Sequence, residues 1–322
     1  MKAIRVHEHG GPEVLCLEDL PDPTPDADEI VVRLEHVGIN FIEVYQRKGQ
    51  YPMKLPFTPG REGAGVVTAV GSAVTSIRVG DRVASEQFAG AYAEQTKAKA
   101  DRVVKLPTTV ESVVGAAVML QGLTAHYLAT STFPLEKGHR CLIHAAAGGA
   151  GLLLCQLAKH RGAWIVGTTS TAEKAKWARD AGADEIILYT ELDFVTEVKR
   201  LTNGAGVHVV YDSVGKTTFD GSLDCIAPRG MMVLFGQSSG PVPPFDPQTL
   251  NRKGSLFLTR PNLAHHVSDP AELAMRAAEL LGWVGDGWLN VHVDRTFPLA
   301  DAAAAHQALE SRGTIGKVLL AV

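Results

Sequence analysis

The run from Cys141 to Ala158 limits the fold of this chain more than any other segment. It carries no formal charge, a length that raises the question of a membrane span. At its centre, however, stand Gly148, Gly149 and Gly151, and it also holds His144 and Gln156. A short apolar strand, a glycine turn and a buried helix account for it better. The strand signal Cys141–His144 leads into Ala145-Ala146-Ala147-Gly148-Gly149-Ala150-Gly151, a helix follows over Gly151–Lys159, and a second strand signal, Trp164–Gly167, closes the unit. Aligned on a dinucleotide fingerprint, Ala146 takes the first glycine position, Gly148 the second and Gly151 the third. The second must lack a side chain so that a pyrophosphate can approach the backbone, and the third lets helix and strand pack closely. Amide groups opening the helix then face the phosphates.

The texture on either side supports this reading. From about residue 110 an apolar helical segment, Val113–Leu128, precedes strand signals at Cys141–His144, Trp164–Gly167, Glu185–Leu188, His208–Tyr211, Met231–Phe235 and Ser255–Thr259. Four helical segments, Ala172–Ala181 among them, separate the first five. Repeated β-α-β alternation specifies an α/β class with a doubly wound parallel sheet. The first third is different: Ile30–Leu34, Gly65–Val70, Asp81–Ala84 and Arg102–Leu106 are β-like runs between Pro and Gly punctuation, the pattern of a mostly antiparallel β domain. The tail, with helices at Pro270–Leu281 and Ala300–Ser311 and a final strand Lys317–Ala321, can return to complete that first domain.

Length and charge limit the function. The 322 residues suit two domains. A formal charge of 31 − 35 = −4 argues against a dedicated nucleic-acid binder, which shows a basic face. Cys16, Cys141, Cys155 and Cys225 form no C-x-x-C pair, so neither a disulfide framework nor a four-cysteine zinc lobe is expected, and a reducing, cytoplasmic setting is. The start, Met1-Lys2-Ala3-Ile4-Arg5-Val6, has no signal-peptide core and reads as a strand. His265-His266 reads as loop.

Coenzyme choice is legible at the end of the second strand. An NAD site places a carboxylate about 20 residues past the loop to hold the ribose 2′-hydroxyl. Here the segment is Gly167-Thr168-Thr169-Ser170-Thr171-Ala172-Glu173-Lys174, with Ser170 at the decisive place. Hydroxyls followed by a cation suit a 2′-phosphate, which an acid would repel. The expected cofactor is NADPH.

Across its length the chain resembles the medium-chain dehydrogenase/reductase superfamily. Gly63-Ala64-Gly65-Val66-Val67-Thr68-Ala69-Val70-Gly71 and Val79-Gly80-Asp81-Arg82-Val83 carry the resemblance in the β domain. Zinc alcohol dehydrogenases of that superfamily have Gly-x-Cys-His-x-Asp and Gly-His-Glu segments. Here these read Gly38-Ile39-Asn40-Phe41-Ile42-Glu43 and Gly60-Arg61-Glu62, so Asn40 and Arg61 replace two ligands and no metal is expected. Among zinc-free branches the chain is most similar to the NADPH:quinone oxidoreductase, or zeta-crystallin, group. The carrying segments are Gly38-Ile39-Asn40-Phe41-Ile42, Gly122-Leu123-Thr124-Ala125, His144-Ala145-Ala146-Ala147-Gly148-Gly149 and Tyr211-Asp212-Ser213-Val214-Gly215. Leu234-Phe235-Gly236-Gln237-Ser238-Ser239-Gly240 and Leu258-Thr259-Arg260-Pro261 extend them.

The resemblance implies a GroES-like catalytic domain (1–122 and 262–322) around a Rossmann domain (123–261), with the reaction in the cleft between them. It implies a homodimer through the edge strand of the Rossmann sheet. By position, Asn40, Tyr45 and Thr124 would line the nicotinamide side. Gly148, Gly149, Ala150 and Gly151 would hold the pyrophosphate, and Ser170, Lys174, Tyr189 and Arg312 the adenosine phosphate. Ser213, Phe235, Gly236, Ser238 and Arg260 would complete the cofactor bed. Gln121 stands where relatives can carry a lysine, so this wall of the pocket can differ.

With no metal to polarise a carbonyl, reactivity would lie in the dihydronicotinamide, and a quinone suits such a site. A second reading is reduction of a carbon–carbon double bond in an enone or 2-enoyl thioester, with Tyr51 as proton donor. A third, of another class, is a crystallin-like structural or AU-rich RNA-binding protein, which the acidic charge and the lack of an aromatic-basic stripe make a side role.

Overall fold

The computed structural model describes residues 1–322 and divides into two units, Met1–Leu123 with Val267–Val322, and Thr124–His266. In the second unit six parallel strands form one sheet. Numbered in chain order within the unit, Arg140–Ile143, Trp164–Thr169, Glu185–Leu188, Val207–Asp212, Ile226–Leu234 and Phe257–Thr259 lie side by side as 3-2-1-4-5-6. That is the order of a dinucleotide-binding sheet, and it reverses direction between the first and fourth strands, where the crevice for a ligand opens. Cys141 and Leu142 pair with Val209 and Val210 across this point. The expected doubly wound sheet is present. Four helices, Gly149–His160, Ala172–Asp180, Phe194–Leu201 and Phe219–Cys225, separate the first five strands.

The strands are buried and rich in Val and Ile because parallel strands are covered on both faces. Leu142, Val166, Ile187, Val210 and Met232 lie in one cluster with Phe219 and Leu223 of the last of these helices. The helix Gly149–His160 buries Leu152, Leu153, Leu154, Cys155, Leu157 and Ala158, which explains the absence of charge before Lys159 in its last turn. One span, Ser112–Thr132, is long and apolar enough to cross a bilayer, and most of it is buried inside the protein, as in a core helix. His265 and His266 end a helical turn, Leu263–His266, rather than a loop, and the His266 ring stacks on Tyr127 with centroids 4.1 Å apart.

The first unit is built on a mostly antiparallel sheet ordered Val293–Pro298, Lys317–Ala321, Glu29–Ile39, Glu62–Val70, Arg82–Ser85 and Val104–Lys105, with Gln95–Lys99 also pairing Glu29–Ile39. The last strand runs beside Glu29–Ile39, Val318 opposite Ile39, so both ends of the chain build one sheet. Its core joins Ile30, Val32, Leu34 and Val37 to Val318 and Leu320. The strand read over Arg102–Leu106 is shorter than expected: Ala100–Arg102 forms a 3-10 turn, and only Val104 and Lys105 pair. The strand read from Ser255 begins at Phe257, since Ser255 takes a left-handed φ of 56°.

Candidate active site

In the second unit the fingerprint turn lies at the switch point of the sheet. The chain leaves the strand at Ile143, takes a left-handed residue at Ala145 (φ 52°) and enters the helix with Gly148 as N-cap. The left-handed residue stands one place before the position aligned with the first glycine. A Cβ on Gly151 would lie 2.3 Å from the Ala145 carbonyl oxygen and 2.9 Å from Ala146 Cα. The third glycine is therefore required by close packing of helix against turn. A Cβ on Gly148 would meet only the Ala145 carbonyl oxygen, at 3.2 Å, so this glycine keeps space clear above the turn. Gly148 has no side chain to cap the helix, and the first turn holds no acid. The amides of Gly149, Ala150 and Gly151 thus open onto a surface suited to an anion.

Beneath the turn lies a buried polar network. The Asp212 carboxylate accepts from the amides of Val214 (2.7 Å) and Gly215 (3.0 Å) and from the hydroxyls of Thr218 (2.7 Å) and Ser222 (3.2 Å). Ser222 also meets His144 Nε2 at 2.9 Å, and His144 Nδ1 meets the Thr168 hydroxyl at 3.0 Å. Burial depresses the His144 pKa, so a neutral ring ties strand ends one, two and four together. The loops after strands four and five are held together: Ser238 N donates to Ser213 O (3.1 Å) and Gly236 N to Asp212 O (3.2 Å). Ser213, Phe235, Gly236 and Ser238 accordingly form one rim.

Ser170 and Tyr189 follow adjacent strands, since Thr169 pairs with Leu188, and the Thr190 hydroxyl donates to Ser170 O at 3.0 Å. Lys174 lies in the first turn of Ala172–Asp180, whose N-cap Thr171 accepts from the Lys174 amide at 3.3 Å. Thr171 is thereby committed to the helix, and Ser170 is the hydroxyl left at the turn. Arg260 directly follows the edge strand Phe257–Thr259. Arg312, in the first unit, takes a left-handed φ of 58° just past the helix Ala302–Glu310.

The first unit holds the groups expected on the reacting side. Asn40 caps the helix Phe41–Arg47 in a capping box with Glu43. Tyr45 lies in that helix, and its ring centroid is 5.3 Å from that of Tyr51, edge to face. Thr124, the first residue of the other unit, is 9% exposed in the helix Ser112–Tyr127.

Sequence reasoning missed what surrounds Asn40. Lys317 Nζ lies 2.7 Å from Asn40 Oδ1 and 2.5 Å from Glu62 Oε2, with the Lys317 side chain 1% and the Glu62 side chain 0% exposed. Asn40 Nδ2 donates to Glu62 Oε2 at 2.9 Å, and the Leu120 amide donates to Glu62 Oε1 at 2.7 Å. Gly38 makes room for this carboxylate, for a Cβ there would lie 2.2 Å from Glu62 Oε2. Burial raises the Glu43 carboxyl to about 7. A second buried chain runs from Tyr92 to His306 (2.9 Å), then to Arg47 (2.8 Å) and Glu310 (2.5 Å). The His306 pKa is depressed to about 3 by burial and then by Arg47, and its Nδ1 accepts from the guanidinium. Glu43 had a signal in its capping-box spacing and Glu62 in the Gly-Arg-Glu segment. Lys317 had only its place as a lone cation in an apolar strand. No group of three or more His, Cys, Asp or Glu side chains is arranged to hold a metal.

Comparison with known proteins places the chain in a family. Residues 26–137 match the alcohol dehydrogenase GroES-like domain, and residues 149–263 match the zinc-binding dehydrogenase domain. The chain is 45% identical to a quinone oxidoreductase of Pseudomonas aeruginosa, covering 99% of both chains. It is 40% identical to a 2-haloacrylate reductase of a Burkholderia species, covering 98% of this chain and 97% of that protein. The crystal structure of Escherichia coli quinone oxidoreductase complexed with NADPH superposes with a TM-score of 0.98 at 44% identity, over 100% of each chain. On fold, fingerprint and full-length kinship together, the chain belongs to the quinone oxidoreductase family of the medium-chain dehydrogenase/reductase superfamily.

Proposed function

We propose that this chain catalyses NADPH-dependent reduction of quinones without a metal ion. The observation that carries the reading is the turn at the sheet's switch point, where Gly148 keeps space clear before an uncapped helix start. The residues present fit the coenzyme: backbone amides for a pyrophosphate, then Ser170 and Lys174 with no acid at the ribose position. Glu173 lies in the first turn of the helix, next to Lys174, and is exposed. NADPH, when bound, supplies the reducing electrons. The chain's own part is to fix that coenzyme and to shape the place of the acceptor. Gly148 to Gly151 hold the pyrophosphate. Ser170, Lys174 and Tyr189 take the adenosine phosphate, and Ser213, Phe235, Gly236, Ser238 and Arg260 bed the remainder. Asn40, Tyr45, Tyr51 and Thr124 belong to the reacting side. Purified protein should consume NADPH on addition of 1,4-benzoquinone, and NADH more slowly; no consumption with any quinone would overturn the assignment.

A second reading, reduction of an activated carbon–carbon double bond, is favoured by kinship to the 2-haloacrylate reductase and by the position of Tyr51. Loss of enone but not quinone turnover in Tyr51→Phe would support it. Two further proposals follow from the surface. Phe257 is 58% exposed on the edge strand Phe257–Thr259, which has a free side and suits pairing with a second copy in a homodimer. Four free cysteines, three of them buried, suit a reducing cytoplasm.

A further inference from the structure

Each hydrogen in the buried series Thr168, His144, Ser222 and Asp212 has one place. A carboxylate only accepts, so the Ser222 hydroxyl donates to Asp212 Oδ2 at 3.2 Å. Towards His144 Nε2, 2.9 Å away, Ser222 can then only accept, and the ring hydrogen lies on Nε2. Burial keeps the ring neutral, which leaves Nδ1 bare to accept from the Thr168 hydroxyl at 3.0 Å. Thr168 also holds the far side of the turn, since its carbonyl oxygen accepts from the Ala146 amide at 3.1 Å. The His144 amide in turn donates to Tyr211 O at 3.0 Å. Ala145 is thus bracketed by two neighbours tied to strand ends, and it is the residue with the left-handed φ of 52°. An alanine adopts that backbone at a cost which glycine escapes. The Ala145 carbonyl oxygen accepts from the Gly148 amide at 2.9 Å, and it is the atom nearest to a Cβ placed on either Gly148 or Gly151.

We propose that His144 is a positioning residue for the coenzyme: held between Thr168 and Ser222, it keeps Ala145 left-handed and so fixes Gly148 to Gly151 in the arrangement that receives a pyrophosphate. The proposal rests on the reading that this turn binds NADPH. Strained backbone persists where its surroundings over-determine it, and the two bonds to Thr168 do so here. Released from them, Ala145 would relax to a negative φ. Its carbonyl oxygen would then leave Gly148 and Gly151, and the amides that open the helix would turn with it. His144 acts on the coenzyme only through this backbone. Thr168 lies in the strand Trp164–Thr169 that leads to Ser170, so one residue both holds the turn and precedes the hydroxyl assigned to the 2′-phosphate.

The test measures Kd for NADPH from its fluorescence, beside thermal unfolding without ligand. Thr168→Val keeps the shape and the backbone carbonyl of Thr168 but removes the hydroxyl, so His144 Nδ1 loses its donor. Kd should rise about tenfold, the factor that a left-handed penalty imposes on an alanine free to relax. Thr168→Ser, which keeps the hydroxyl, should bind as the parent does. Ala145→Gly alone should also bind as the parent does, since glycine needs no clamp to be left-handed. In Thr168→Val/Ala145→Gly the turn again reaches its conformation without penalty, and most of the lost affinity should return. A merely structural role for His144 would lower the unfolding temperature and leave the double variant as weak as Thr168→Val. That result, or an unchanged Kd in Thr168→Val, overturns the proposal. Should Thr168→Val not fold, Ser222→Ala, which takes the acceptor from Nε2, is compared with and without Ala145→Gly and judged by the same outcomes. Failure of the unaltered protein to bind NADPH overturns the coenzyme reading itself, and this proposal with it.

Discussion

Gly148 and Gly151 lie three residues apart in one turn, and their surroundings assign them different work. A Cβ on Gly151 would stand 2.3 Å from the Ala145 oxygen and 2.9 Å from the carbonyl carbon and Cα of Ala146. These are backbone atoms, so no flexible side chain can yield. Gly151→Ala is then an overpacking change of about 1–3 kcal/mol. At Gly148 the same atom meets one oxygen at 3.2 Å, and φ −76° with ψ 169° is open to any residue. Gly148→Ala should change the stability of the unliganded protein by less than about 1 kcal/mol, while intruding where the pyrophosphate approaches. If it weakens NADPH a hundredfold, then at a ligand concentration of about 100 times the parent Kd the stabilisation falls from about 2.7 to about 0.4 kcal/mol. Thermal unfolding with and without NADPH reads both effects. Gly151→Ala should unfold several degrees lower without ligand. Gly148→Ala should unfold near the parent temperature and gain little from NADPH. A Gly148→Ala protein stabilised by NADPH as strongly as the parent would show that the coenzyme does not approach this turn.

Three other outcomes are expected. Ser170→Asp should reverse or erase a preference for NADPH over NADH, measured as the ratio of kcat/KM values, because the carboxylate repels a 2′-phosphate and accepts from a 2′-hydroxyl; an unaltered preference would place the phosphate elsewhere. Glu43, raised by burial from 4.5 to about 7, holds in the native state a proton that the unfolded chain has released. Its contribution is therefore full below about pH 4.5 and lost as pH rises through about 7, amounting to about 3 kcal/mol. Glu43→Gln should gain on the parent over that window in urea unfolding, and parallel pH profiles would refute the assignment. Activity should survive chelators and elemental analysis should find no stoichiometric zinc, since Lys317 Nζ already lies 2.7 Å from Asn40 at the ligand position; one zinc per chain needed for activity would overturn this.

Much of the second unit was legible in the sequence because its determinants are local. A strand, a glycine turn and a buried helix lie within twenty or so consecutive residues, and each has its own periodicity. The missing acid at Ser170 could likewise be counted from Gly151. The sequence was less informative where a neighbour decides. Gln95–Lys99, with two lysines in five residues, has little β-like apolar character and is a strand because it pairs with Glu29–Ile39. Arg102–Leu106 has that character, but a 3-10 turn takes its first residue, and only two residues find a partner.

By itself, then, the order of residues determined the parallel α/β unit, its fingerprint turn and the departure from the zinc ligands at Asn40 and Arg61. Only the tertiary structure decided what stands around Asn40. Lys317 is 277 positions from Asn40 and 255 from Glu62, and the strand pairing of Val318 with Ile39 brings them together. No pattern within a few residues can encode a contact at such separation, because it depends on where the last strand docks. Burial completes the effect: away from water, a lysine and a glutamate must satisfy each other, and the directions of their hydrogen bonds then orient the amides beside them.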